Sequence, residues 1–86
     1  MIYEVMREEY AQACQYDGKN SKEIMKLLGN GNLVYFIDEI HDFFHFGVQG
    51  ETRYINTTDW LVYENANNWN IITDYDFNHK YRILIN

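Results

Sequence analysis

His41 and His45 stand four residues apart, which puts both imidazoles on one face of a helix or of a strand. His-x-x-x-His is also a common zinc-ligand spacing. The remaining nitrogen and sulfur ligands of the preferred kind are Cys14 and His79. Cys14, His41, His45 and His79 therefore make one tetrahedral set for a structural zinc ion, provided the fold brings them together. Asp38, Glu39 or Asp42 would substitute as an oxygen ligand. The plainer alternative is two half-exposed histidines whose neighbouring carboxylates favour the imidazolium. No Glu lies inside the motif in the metalloprotease pattern, which argues against a catalytic zinc. Cys14 beside a histidine would be a nucleophile pair, but a small buried residue on a strand is the stronger reading of a lone cysteine. Asp74 and Asp76 fall on one face of an extended segment, where they suit a hard cation or the cap of a helical turn. There is no Gly-rich phosphate loop and no Ser-His-Asp order, so the sequence predicts a non-enzymatic protein.

These residues must be positioned by a single domain spanning 1–86. A chain of this length buries only about 60–65% of its unfolded surface, so its core must be dense. Eight Tyr, five Phe and two Trp supply that density, each able to remove ~150–250 Å² from water. The net charge is −6, from 13 acidic against 7 basic residues. Between Leu27 and His79 the imbalance sharpens to eight acidic residues against Arg53 alone. Such a surface repels phosphate backbones and selects a basic partner. The single cysteine fits a reducing cytoplasm. The charged start of the chain does not read as a signal peptide, and no apolar run approaches ~18 residues, so we expect no membrane partner.

Turn and periodicity signals place the elements. A strand is predicted over Glu9 to Tyr16, stopped by Asp17-Gly18, with the opening residues as a separate strand or an arm. Asn20 and Glu23 are spaced as a capping box for a helix over about Ser21 to Leu28, with an apolar stripe of Ile24, Leu27 and Leu28. Gly29 is expected to end it in the left-handed conformation, and Asn30-Gly31 marks a turn. Leu33 to Ile37 reads as a buried strand broken by the charged run Asp38 to Asp42. Short strands follow at Phe44 to Gln49, Arg53 to Asn56, Trp60 to Glu64 and Trp69 to Thr73. Asp74 to Phe77 suits a turn or single helical turn, and Tyr81 to Ile85 a final strand. The sum is an α+β fold, one short helix packed on a curved antiparallel β-sheet of about five to six strands.

The order Gln15-Tyr16-Asp17-Gly18, Lys22 to Gly29, Thr58-Asp59-Trp60-Leu61-Val62, Asp76-Phe77 and Lys80-Tyr81 resembles a module of small bacteriophage proteins. In that module a Gly-Asp-Trp-like turn leads into an apolar strand of a meander sheet. Thr58 stands where the module usually has Gly, the hairpin Asn65 to Asn68 lacks its Gly-Glu pair, and Asp38 to His45 looks like an addition. The resemblance implies a phage or prophage origin and carries no activity with it. In size, charge and lack of catalytic chemistry the chain is also similar to anti-CRISPR proteins, which occlude a nuclease.

Trp60 and Phe77 are the natural core aromatics, whereas Tyr63, Trp69 and Tyr75 alternate with Glu64, Asp74 and Asp76 as a candidate interaction face. We therefore expect an inhibitor of a host defence nuclease, such as a Cas effector protein, acting in the host cell cytoplasm. Asp38, Glu39, Asp42, Glu64, Trp69, Asp74, Tyr75 and Asp76 would contact a basic nucleic-acid-handling surface. No direct contact with nucleic acid is expected, and the chain would be a monomer or weak dimer. The alternative is a zinc-stabilised phage structural or accessory protein without inhibitory role.

Overall fold

The computed structural model describes residues 1–40 and 42–84. Strands β1 (Ile2–Met6) and β2 (Tyr10–Gln15) precede helix α1 (Ser21–Leu28). Then come β3 (Val34–Ile40), β4 (Phe43–Val48), β5 (Glu51–Asn56), β6 (Trp60–Asn65) and β7 (Asn68–Ile72), followed by helix α2 (Asp74–Lys80) and β8 (Arg82–Ile83). The strands form two antiparallel sheets, one in the order β7-β6-β2-β1-β8 and one in the order β3-β4-β5. The architecture is α+β, mostly sheet, as the sequence predicts. Its strands are divided between two sheets where the sequence suggests one, and the Asp74 segment grows into a full second helix.

Alternation along the strands of the larger sheet sorts the core into two layers. Cys14, Leu61 and Tyr63 face α1 and the smaller sheet, where they meet Tyr16, Ile24, Leu27, Leu28, Phe44, Phe46 and Ile55. Val5, Ala11, Ala13, Trp60 and Val62 face the other way, onto Phe77 of α2. Trp-Leu-Val-Tyr of β6 is apolar at every position because both of its faces are covered. Trp60 and Phe77 hold the core places the sequence gives them, their rings stacked 3.8 Å apart at 6°.

Local details depart from the sequence reading for identifiable reasons. Asn20 precedes α1, but its side chain makes no cap bond to the helix. Its Oδ1 instead accepts from the Asp17 N–H at 2.8 Å and its Nδ2 donates to the Gln15 carbonyl, so it braces the turn before the helix. Gly29 keeps right-handed backbone at φ −66, and the left-handed residue is Gly31 at φ 108. The chain therefore turns two residues later than the helix-stop rule suggests. Strand β3 runs through Asp38 and Glu39, because Glu39 turns its carboxylate inward to hydrogen-bond donors there.

Thr58 sits at φ 80 in the turn between β5 and β6, with its N–H donating to the Tyr16 carbonyl at 2.9 Å. A β-branched residue is strained in that region. Thr58→Gly should stabilise the protein by about 1 kcal/mol, since relief of strain exceeds the entropy Gly adds to the unfolded chain. A lower urea midpoint for Thr58→Gly would contradict this.

Candidate docking surface

The smaller sheet decides which of the predicted residues are displayed. In β4, Phe44 and Phe46 point to the core, so Phe43, His45 and Gly47 point outward. Register pairs Ile40, Phe43 and Asn56 across the sheet, then Asp38, His45 and Tyr54, then Tyr35, Gly47 and Thr52. His45 stacks on Tyr54 with ring centroids 4.3 Å apart at 8°, and Phe43 meets the same ring edge-on at 5.2 Å. Tyr35 lies over Gly47, where an added Cβ would come within 2.0 Å of the Tyr35 Cζ. Tyr35, Ile40 and Tyr54 remain exposed, as does Asp38 among them. Asp42, at the tip of the β3–β4 hairpin, is exposed as well.

The other candidate contact residues divide by what already holds them. Glu39 accepts from the Tyr16 hydroxyl at 2.7 Å and from Ser21 Oγ at 3.1 Å, so it is a structural carboxylate joining β3 to β2 and α1. Asp74 accepts from the Trp60 indole N–H at 2.8 Å, from Gln15 Nε2 at 3.3 Å and from Asn78 Nδ2 at 3.1 Å. It too is occupied within the fold. Thr73 caps α2 by accepting from the Asp76 N–H at 3.1 Å, leaving the Asp76 carboxylate outside that bond. Tyr75 is exposed and stacks on His79 at 4.1 Å. Glu64 accepts from the Asn68 side chain within the β6–β7 hairpin. Trp69 is half-buried beneath the Arg53 guanidinium, 4.7 Å from its ring centroid. Tyr63, expected on an interaction face, is buried with its hydroxyl donating to the Asn30 carbonyl.

The acidic segments nonetheless adjoin. The Thr57 N–H donates to the Asp42 carbonyl at 3.0 Å, and Gln15 Nε2 reaches both the Thr58 carbonyl and Asp74. The turn at 57–59 thus links the hairpin tip to the start of α2. Among the described residues the one ion pair joins the Met1 amine to Glu23 at 2.8 Å. The carboxylates from Asp38 to Asp76 have no cationic partner there.

The predicted zinc ligands are not brought together as a set. Cys14 is buried on the face of the larger sheet that meets α1, whereas His79 is exposed on α2, which packs against the opposite face. His45 stands on the outer face of the smaller sheet, and His41 lies outside the described residues. Among the described residues no three His, Cys, Asp or Glu side chains converge as metal ligands. Nor is Cys14 set up as a nucleophile: burial pushes its thiol up to about 11 from an ordinary value near 9.

Tyr16 shows the same direction, its phenol raised by burial and then by its bond to Glu39. Both groups are acids held neutral by the fold, so the stability they contribute is complete below the unfolded thiol value, near pH 8.5–9. It is lost as pH rises through that of Cys14 at about 11 and on toward that of Tyr16. Urea midpoints should fall from pH 9 upward, and Cys14→Ala should flatten the first part of the fall. Thiol reagents should modify Cys14 at neutral pH only once the chain unfolds. Rapid modification of the native protein would refute its placement.

Among the described residues no helix is long and apolar enough to cross a membrane. No protein-family model, curated protein or solved structure matches this chain.

Proposed function

We propose that this chain is a non-enzymatic binding protein that docks on a basic, nucleic-acid-handling surface and blocks it. Its target class would be a phage host's defence nuclease, as in anti-CRISPR inhibition. The observation that carries the reading is the set of carboxylates between Leu27 and His79 without an ion pair among the described residues. A folded protein gains solubility from such charge but loses stability through self-repulsion. Concentrating it in one part of the chain fits a partner of opposite sign, steered in by the field and then held at close range. Arg53, the lone cation of this stretch, is drawn onto Trp69. Repulsion of phosphate makes the nuclease itself, and not its substrate, the ligand.

The experiment is a cleavage assay with purified Cas-type nucleases and increasing amounts of this protein. Asp38→Lys with Asp42→Lys should raise the inhibitory dose about tenfold or more, the effect of like charges brought together at an interface. The melting temperature should stay within a degree or two, because neither carboxylate has a hydrogen-bond partner among the described residues. An unchanged dose would remove the hairpin from the interface. Failure of the native protein to inhibit or bind any nuclease tested would remove this target class.

A further inference from the structure

The smaller sheet has an outer face of unusual composition for a surface. An antiparallel sheet with one wet face alternates apolar inward and polar outward. Strand β4 does not: Phe43-Phe44-His45-Phe46 is aromatic on both sides. The inner side fills the core, and the outer side, with Tyr35 and Ile40 of β3 and Tyr54 of β5, is left without a covering element among the described residues. Tyr54 is 54% exposed and Ile40 47%. Asp38 stands in the same row as His45 and Tyr54, and it is the acidic residue in those rows.

We infer that this face is an arginine-binding docking surface, taking guanidinium side chains presented by a basic partner protein. The inference rests on the proposed function and names where and how that docking occurs. A carboxylate set among aromatic rings offers a guanidinium both things it uses, a hydrogen-bonding anion and a π face to lie on. The rings are held in place. His45 and Phe43 brace Tyr54 from two sides, and Tyr35 is seated in the space Gly47 leaves. Bracing lowers the entropy lost on binding. His45 Nε2 is closed off from water and has no hydrogen-bond partner among the described residues, so the bracing ring is kept at some cost to the fold. Charge selects the occupant. A second copy of this chain would set Asp38 and Asp42 against their equivalents, with no cation in these rows to offset them. Single-stranded nucleic acid would stack on the aromatics but meet the same carboxylates with its phosphates.

The test is a titration of the isotope-labelled full chain with a synthetic decapeptide of alternating Arg and Ser, followed by amide shifts. Its control is the same peptide with citrulline for each Arg, which keeps shape and removes charge. Saturable shifts concentrated on Tyr35, Asp38, Phe43, His45 and Tyr54, absent with citrulline, are the expected result. Asp38→Asn should weaken that binding about fivefold or more with melting temperature unchanged. Tyr54→Ser should weaken it by a similar factor while lowering the melting temperature, since its ring also packs on His45 and Phe43. Shifts centred on Glu8 and Glu9 or on Asp74 to Asp76 would overturn this face, as would equal binding of the citrulline peptide. So would a dimer by sedimentation whose dissociation moves the same amides. The nuclease assay stays independent: inhibition that survives Asp38→Asn and Tyr54→Ser overturns this face and keeps the proposed function, whereas peptide binding without inhibition of any nuclease does the reverse.

Discussion

Phe77→Ala should cost about 3–5 kcal/mol, the range for removing a buried Phe ring from a core that closes only partly. Phe77 is the one buried residue of α2, and its ring lies on Trp60 at 3.8 Å and beside Tyr81 at 5.5 Å. The helix spans Asp74–Lys80, too short to persist without its anchor. Losing the ring also uncovers Val5, Ala11, Ala13 and Val62 on the face of the larger sheet beneath it. With total stability of ~5–15 kcal/mol for a natural domain, and the low end appropriate to a small one, the variant should be substantially unfolded at 37 °C. Chemical denaturation read by Trp fluorescence checks this, with Phe77→Leu as the comparison that keeps most of the volume. A loss below 1 kcal/mol for Phe77→Ala would mean that α2 is dispensable to the fold.

That anchor was readable in the sequence, because Trp60 opens an unbroken apolar run and Phe77 is the apolar residue of a charged segment. So were the helix Ser21–Leu28 and most strand positions, since tight turns with Gly or Asn punctuate them. The division into two sheets was not. It depends on how β5 and β6 separate at Thr57-Thr58-Asp59, and strand periodicity says nothing about which strands pair. The positive φ of Thr58 is hidden too, because the residue contradicts the conformation it adopts.

The candidate contact residues were legible as a composition and illegible as a surface. An acidic residue in a list carries no sign of whether its oxygens already have donors. Asp38 and Glu39 are adjacent, and strand geometry sends them to opposite faces, one outward beside His45 and the other inward to Tyr16 and Ser21. Asp74 and Asp76 part in the same way, the first under the Trp60 indole and the second with its carboxylate outside the cap bond. The histidine spacing failed as a signal because i, i+4 residues share a face in any strand or helix, are close together only in a helix, and say nothing of the third and fourth ligand. The outer aromatic face was missed although Phe43-Phe44-His45-Phe46 contains it. A central strand that is aromatic at consecutive positions must be covered twice, and the second cover is not found among the described residues.

The adjacent pair Asp38 and Glu39 therefore gives the sharpest separation of folding from binding. Glu39→Ala should destabilise the protein by about 2–4 kcal/mol, because it strands two buried hydroxyls, each costing ~1–3 kcal/mol when left unsatisfied. Tyr16 is fully buried and Ser21 nearly so, so water cannot easily replace the lost acceptor. Tyr16→Phe removes one of these bonds together with its donor and should cost only about 1 kcal/mol. In a double-mutant cycle the loss from Glu39→Ala should shrink in the Tyr16→Phe background, a coupling of the kind seen between residues in direct contact. Asp38→Asn, one residue away, should leave the urea midpoint unmoved and weaken Arg-peptide binding instead. If Glu39→Ala were as stable as the native protein while losing inhibition, Glu39 would belong to the docking surface and the inward placement of its carboxylate would be wrong.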